Sequence, residues 1–137
     1  MREILFRGKQ KYNGEWIISG NVFFGGSLKY MYFPNPDNGP VENVFVCREV
    51  IPETVGQYTG LTDKNGKKIF EGDVCRNIKT GEVFSVKWHG TFAGFVWSRR
   101  KENSCLCDFG ELFRCFDRCE VIGNIHDNPE LLKESDN

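Results

Sequence analysis

The chain has 137 residues, 39% of them hydrophobic and 27% charged, which is the size of one ordinary domain or of two very small ones. Its 18 Lys and Arg residues against 19 Asp and Glu residues give a net charge of -1, which disfavours a strongly basic polyanion binder and an acidic tail protein. The sequence has no apolar run of about eighteen residues, and charges flank its first apolar residues, so we expect neither a membrane span nor a signal peptide.

The composition favours strands over helices. Aromatic residues make up 14% of the chain, 15 glycines mark many turns, and Ala93 is the sole alanine. Because six cysteines occur where we expect no signal peptide, we predict free thiols in a reducing cytoplasm.

The first third of the chain predicts short strands joined by turns. The predicted strands cover residues 4–7, 15–19, 21–24, 28–33 and 41–47. The pair Asn13-Gly14 favours a hairpin, and the three prolines of residues 34–40 exclude a helix or a central strand there. We interpret residues 1–53 as an N-terminal strand region.

The middle of the chain predicts a small barrel. Residues 82–88 alternate, so that Phe84, Val86 and Trp88 share one face, which we expect to point inwards. Several short strands at this spacing are typical of a small closed or nearly closed barrel. We therefore predict a barrel-like (SH3-like) C-terminal domain in residues 54–137.

Helical signals occur only in the last third, on either side of a strand-like run at residues 120–125. The first is an apolar stripe with helical spacing, formed by Leu112, Cys115, Phe116 and Cys119. The second is Asn128-Pro129, where Asn128 can cap a helix and Pro129 suits its first position. The predicted fold is therefore mainly β, with short C-terminal helical turns.

Three stretches of the chain resemble the YopX proteins of bacteriophages and prophages. Residues 51–74 resemble the hallmark segment of that family, residues 120–132 resemble its ending, and residues 2–8 resemble its opening. The resemblance implies a phage or prophage origin, the cytoplasm of the bacterial host cell, and self-association. It implies no catalytic residue, because the family is largely uncharacterised.

The hallmark segment also has a structural interpretation. Its glycines suit turns, and Gly72 is expected to take a positive φ beside an Asp73 side chain that binds the backbone of the same turn. Gln57 and Thr59 can hydrogen-bond the backbone where two segments meet. The hallmark residues that we interpret as structural are Gly56, Gln57, Tyr58, Thr59, Gly60, Gly72 and Asp73.

The sequence contains no motif of a known metal, cofactor or catalytic site. No two cysteines have the spacing of a zinc knuckle, and the Walker, dinucleotide-binding and nucleophile-elbow motifs are absent, so we predict no metal, no cofactor and no catalytic residue. The alternative is a zinc site formed by Cys105, Cys107, Cys115 and Cys119.

Charge is distributed unevenly along the chain. Residues 64–101 carry nine basic and three acidic residues, whereas residues 102–137 carry three basic and nine acidic ones. The candidate binding residues of the basic part are Lys87, Trp88, Trp97, Arg99, Arg100 and Lys101. They can bind single-stranded nucleic acid, meet the acidic tail of another subunit, or fill and solvate the barrel.

These observations predict a phage or prophage accessory protein that acts by binding, as a homo-oligomer, and not by catalysis. A nucleic-acid-binding small barrel is the first alternative, and a small hydrolase or nuclease is the second. The sequence identifies no other phage or host protein as a partner.

Overall fold

The computed structural model describes residues 3–25, 28–34, 45–90, 94–98, 109–111 and 116–133. These residues form twelve strands, and their helix is limited to two 3-10 turns and one short α-helix. No helix in these ranges is long and apolar enough to cross a membrane. The prediction of a mainly β fold with short C-terminal helical turns is confirmed.

The chain divides into two compact units, Met1–Gln57 and Tyr58–Asn137. One strand, β6 (Gly56–Thr62), begins in the first unit and ends in the second. The domain division at residues 1–53 and 54–137 stays a prediction.

The N-terminal unit consists of hairpins. Its elements are β1 (Phe6–Lys9), β2 (Trp16–Ser19), β3 (Asn21–Gly25), β4 (Leu28–Pro34), β5 (Phe45–Val50) and a 3-10 turn at Pro52–Thr54. Strands β3, β4 and β5 form an antiparallel meander, while β1 pairs with β2 on one side and with the start of β6 on the other. The predicted hairpin between β1 and β2 forms: Gly14 has a φ of 72°, and the Asn13 side-chain oxygen accepts a hydrogen bond from the Glu15 N–H at 3.0 Å. The proline-rich loop beyond Pro34 lies outside the described residues.

The C-terminal unit combines a hairpin with a five-stranded sheet. After β6 come β7 (Lys68–Phe70), β8 (Asp73–Asn77), β9 (Val83–His89), β10 (Gly94–Ser98), β11 (Phe109–Glu111), a 3-10 turn at Phe116–Arg118, β12 (Cys119–Asn124) and α1 (Glu130–Lys133). Strand β6 pairs with β7, and the antiparallel sheet has the order β11-β10-β9-β8-β12. The last strand among the described residues, β12, therefore lies beside β8, the first strand of this sheet in chain order.

The core of the C-terminal unit is shared by the hairpin and the sheet. Its buried members are Ile69, Cys75, Phe84, Val86 and Cys119. The half-buried side chains packed around them are Leu61, Phe95, Trp97, Phe116 and Val121. One of the antiparallel sheets curls into a half-barrel, which agrees with the predicted barrel-like fold.

The predicted helix over the apolar stripe ending at Cys119 is wrong at that end. Cys119 begins β12, where it pairs with Asn77 of β8 and is fully buried. Phe116–Arg118 forms only a 3-10 turn, and Leu112 and Cys115 lie outside the described residues. Sheet pairing with a distant strand has overridden the local helical spacing.

Candidate binding surface

The candidate binding residues of β9 and β10 divide between two faces of the sheet. Trp88 pairs with Phe95, and Trp97 lies two residues further along β10, so the three rings share one face. Lys87 follows the strand alternation and belongs to the opposite face. The remaining candidates, which lie outside the described residues, are Arg99, Arg100 and Lys101.

The two tryptophans have different surroundings. Trp97 is half-buried against the core, and its ring centroid lies 5.9 Å from that of Phe84. Trp88 shares the inward face as predicted, yet it is 46% exposed, with its ring edge-on to Phe95 at a centroid distance of 5.1 Å. Trp88 stands near the end of β9, beyond the buried Phe84 and Val86. A ligand can therefore reach Trp88, whereas Trp97 packs against the core.

The opposite face of β9 borders a small apolar groove. Ser85 and Lys87 line it from the strand, and Ile125, Pro129 and Leu132 line it from the C-terminal segment. Its volume of about 200 Å³ is below the roughly 300 Å³ at which small-molecule sites begin. Because Ser85 and Leu132 are buried, we interpret the groove as the seam where the C-terminal segment covers the sheet.

The segment that resembles the family ending is held together by its own asparagines. The Asn124 side-chain oxygen accepts hydrogen bonds from the N–H groups of His126 and Asp127 at 3.0 and 2.9 Å. The Asn128 side-chain oxygen accepts one from the Asn124 N–H at 3.2 Å, so Asn128 ties this turn together instead of capping α1 as predicted. Gly123 leaves room for this contact, because a Cβ there would lie 2.5 Å from the Asn128 Oδ1.

Asp63 joins the tip of the β6–β7 hairpin to β12. Its Oδ1 accepts hydrogen bonds from the N–H groups of Asn65 and Lys67, each at 2.9 Å, and its Oδ2 accepts one from the Val121 N–H at 2.9 Å. Burial by itself raises the pKa of Asp63, but the three backbone donors and the Lys67 charge outweigh it and hold the pKa below its ordinary value. The carboxylate is therefore ionised, and its contacts are those of a structural clamp.

Two further polar residues of the hallmark also bind main-chain groups. The Thr59 hydroxyl donates to the Ile69 C=O at 2.8 Å and accepts from the Leu61 N–H at 3.2 Å. The Asp73 carboxylate, 1% exposed, accepts from the Phe70 N–H at 2.7 Å, which is the turn contact that the sequence predicts. These side chains hold β6, β7 and β8 to one another.

The other hallmark residues take part in backbone geometry and packing. Gly60 and Gly72 have φ values of 87° and 93°, which only glycine adopts without strain. Gly72 lies in a turn, but Gly60 lies within β6, where the pairing with β7 is irregular. Gly56 is a buried strand residue and not the turn glycine that we predicted, and Gln57 pairs with β1 beside it. Tyr58 is 7% exposed.

The described cysteines and histidines do not form a metal centre. Cys75 and Cys119 are buried in the core, and neither takes part in a disulfide. Within the ranges given above, no three His, Cys, Asp or Glu side chains lie close enough to hold a metal ion. The zinc alternative stays untested, since three of its members lie outside those ranges, namely Cys105, Cys107 and Cys115.

The β1–β2 hairpin carries a surface that sequence analysis missed. The Arg7 guanidinium lies 5.0 Å from the centre of the Trp16 ring, a cation–π contact. Ile18, on the same face of β2 as Trp16, is 52% exposed. The alternation of these two residues in the run from Trp16 to Ser19 is the sequence signal for this surface.

Comparisons with known proteins agree with this architecture. A family model described as YopX protein matches residues 5–133. Among solved structures, the crystal structure of protein EF1440 from Enterococcus faecalis matches with a TM-score of 0.54 and 23% identity, over 96% of this chain and 99% of that chain. At this identity the likeness shows the fold alone. The comparison with curated proteins found no match.

Proposed function

The chain belongs to the YopX family, and we propose that it is a phage or prophage accessory protein that acts by binding, as a homo-oligomer in the cytoplasm of the host cell, without catalysing a reaction. The observation that supports this proposal is that polar side chains of the hallmark segment are buried and bind main-chain groups of the fold.

Three polar side chains of the hallmark segment form hydrogen bonds with the backbone. Thr59, Asp63 and Asp73 are 5%, 5% and 1% exposed, and each binds main-chain groups. A general acid, base or nucleophile has to reach its substrate, whereas these groups are buried and engaged with the fold. This supports a structural role for the hallmark segment. It also supports a function that depends on side chains at the surface.

Large apolar side chains on the surface support self-association. Ile4, Tyr12 and Ile18 of the N-terminal unit are 59%, 97% and 52% exposed, and Ile78 and Trp88 of the C-terminal unit are each 46% exposed. Covering such side chains with another copy stabilises an assembly by about 25 cal/mol per Å² of apolar surface buried.

The solution mass of the purified protein tests the proposal. Size-exclusion chromatography with light scattering, repeated over a wide range of concentration, is expected to give a discrete oligomer without co-purifying nucleic acid. A monomer at every concentration contradicts the homo-oligomer, and a hydrolytic activity that requires added Mg²⁺ contradicts the non-enzymatic role.

Binding of single-stranded nucleic acid is a second candidate function, favoured by the exposure of Trp88. Base stacking on an aromatic side chain contributes about 1–3 kcal/mol per base in proteins that bind single strands. We expect Trp88→Ala to weaken the fluorescence anisotropy signal of a labelled single-stranded oligonucleotide. The matched control is Tyr12→Ala, which removes an aromatic ring that is 97% exposed in the other unit. An absence of binding by the wild type excludes this function.

Charge reversal distinguishes the two candidates. If the basic part of the chain binds a polyanion, the triple variant Arg99→Glu, Arg100→Glu, Lys101→Glu loses that binding, and the wild-type affinity falls steeply with salt. If the basic part meets the acidic tail of another copy, the same variant weakens the oligomer, and Glu130→Lys partly restores it. If the triple variant assembles normally and the wild type binds no nucleic acid, neither interpretation holds, and these charges only solvate the surface.

A further inference from the structure

Three turns of the C-terminal unit meet at one end of the β8–β12 pair. The Lys64 N–H, at the tip of the β6–β7 hairpin, donates to the Cys119 C=O at 3.0 Å, and the Ile78 N–H donates to the Arg118 C=O at 2.9 Å. Ile78 is 46% exposed, and Lys64, Lys79 and Arg118 are exposed as well. These four residues, an apolar side chain among three cations, form what we call the basic end.

Positive charge dominates the surface of the basic end. In the three turns, residues 64–67, 78–82 and 116–118, every charged residue is exposed, and four are basic while two are acidic. The excess stays positive when the buried Asp63 carboxylate beside these turns is counted as well. The basic end therefore attracts an acidic surface.

The opposite end of the same strand pair is acidic. The Ile125 N–H donates to the Gly72 C=O at 2.9 Å, which joins the end of β12 to the start of β8. Residues 69–75 and 121–130 contain four acidic residues and no basic one. The exposed members of this acidic end are Asp127 and Glu130.

The apolar groove between β9 and the C-terminal segment lies at the acidic end. Ile125, Pro129 and Leu132 line it, and Lys87 is its charged lining residue. Pro129 is exposed and directly precedes Glu130 in the sequence. An apolar cavity of about 150 Å³ can hold benzene, so this groove of about 200 Å³ has room for one aliphatic side chain.

The two ends are too far apart to neutralise each other within one copy. Strand β8 runs between them from Asp73 to Asn77, and four residue steps of about 3.3 Å give a separation of about 13 Å. This separation exceeds the Debye length of about 8 Å at physiological salt, so the attraction between the ends of one copy is screened. A second copy can bring the opposite charges into direct contact.

We propose that Ile78 of one copy enters the groove of a second copy, so that the basic end of the first faces the acidic end of the second. This inference rests on the proposed homo-oligomer and names one of its interfaces. An apolar centre with a charged rim is the ordinary anatomy of a protein interface, in which the complementary charges select the partner surface.

Reversed charges test whether the two ends meet. Lys64→Glu with Lys79→Glu makes the basic end acidic, and Asp127→Lys with Glu130→Lys makes the acidic end basic. Light scattering over a dilution series is expected to show that each double variant alone raises the dissociation constant of the oligomer at least about tenfold, because like charges then meet. An equimolar mixture of the two is expected to recover the wild-type constant, because each reversed end then faces its complement.

The matched control reverses two exposed cations of the N-terminal unit. Lys11→Glu with Arg48→Glu changes the net charge by the same amount as Lys64→Glu with Lys79→Glu, and it is expected to leave assembly unchanged. An equal loss of assembly in this control shows a general effect of net charge and overturns the proposal.

Two substitutions at position 78 test the apolar contact. Ile78→Ser is expected to raise the dissociation constant about tenfold with an unchanged circular dichroism spectrum, because a polar side chain then enters the groove. Ile78→Val keeps an apolar side chain and is expected to change the constant less than about threefold. Equal effects of the two substitutions contradict the insertion of Ile78.

The outcomes separate this interface from the proposed function. If the wild type is oligomeric and the charge variants assemble normally, or if their mixture recovers nothing, the contact between the ends is wrong and the homo-oligomer stands. If the wild type is monomeric at every concentration, the homo-oligomer is wrong and the contact with it. If Lys64→Glu with Lys79→Glu assembles normally but loses binding of a labelled single-stranded oligonucleotide, the basic end binds a polyanion instead. Should the variant of the acidic end fail to fold, the variant of the basic end and Ile78→Ser decide.

Discussion

Removing the Asp63 carboxylate is the sharpest test of how the C-terminal unit is held together. The side chain is 5% exposed and joins the hairpin tip to β12 through three backbone donors. Asp63→Ala leaves all three N–H groups without this acceptor. We therefore expect a large loss of stability from the removal of one small side chain.

The magnitude follows from the environment of the three donors. A hydrogen bond to a charged acceptor contributes about 1.5–3 kcal/mol, and a buried donor left without a partner costs about 1–3 kcal/mol. The N–H of half-buried Val121 incurs most of this cost, whereas Asn65 and Lys67 lie in an exposed turn that water can reach. We expect Asp63→Ala to lower the free energy of unfolding by about 3 kcal/mol, and Asp63→Asn, which keeps one acceptor oxygen, by about half as much.

Urea denaturation followed by tryptophan fluorescence measures this change. The control is Asp117→Ala: that side chain is 72% exposed and lies 3.9 Å from the Arg118 guanidinium, so its loss is expected to cost less than about 0.5 kcal/mol. A loss below about 1 kcal/mol for Asp63→Ala refutes the clamp, because an ordinary surface substitution costs about as little.

The same residue predicts a dependence of stability on pH. The folded state holds the pKa of Asp63 below its ordinary value of 3.8, so the unfolded state binds the proton more tightly. The stabilisation is therefore complete above that value and is lost as the pH falls through the lower pKa of the folded state. The difference in stability between wild type and Asp63→Ala is expected to shrink in this acid range, and a difference that stays constant contradicts the assignment.

Two further substitutions probe the packing of the C-terminal unit. Gly123→Ala is expected to lower the free energy of unfolding by about 1–3 kcal/mol, because its Cβ displaces the Asn128 carboxamide. The control is Gly90→Ala, where no atom of the described residues lies within 4 Å of the added Cβ, and it is expected to cost under about 0.5 kcal/mol in the same urea titration. Trp97→Ala is expected to lower the thermal midpoint far more than Trp88→Ala, since Trp97 packs against the core and Trp88 is 46% exposed; equal shifts in differential scanning fluorimetry contradict this.

Local patterns predicted the parts of the fold that depend on local chemistry. The Asn-Gly turn at Gly14, the turn contact of Asp73, and the inward-facing alternation of Phe84 and Val86 all appear in the structure. Each follows from residues within a few positions of one another, where turn propensity and strand periodicity act directly.

Contacts between residues far apart in the sequence determine the features that local sequence patterns did not predict. Trp88 and Val86 share a face, but the exposure of Trp88 depends on how far the core extends along β9, which no alternation encodes. The contact between Asp63 and Val121 joins residues 58 positions apart.

The placement of β12 beside β8 has a consequence for the kinetics of folding. The β8–β9 hairpin joins residues close in sequence, whereas Cys119 reaches back to Asn77 and Asn124 to Asp73. Non-local pairs form slowly, because the entropy of closing the intervening loop is lost before their contacts are gained. We expect β12 to dock after the hairpins have formed, on the far side of the transition state. Asp63→Ala should then accelerate unfolding while the refolding rate stays nearly constant. In the wild type, the contacts of Asp63 would therefore lower the unfolding rate of the C-terminal unit.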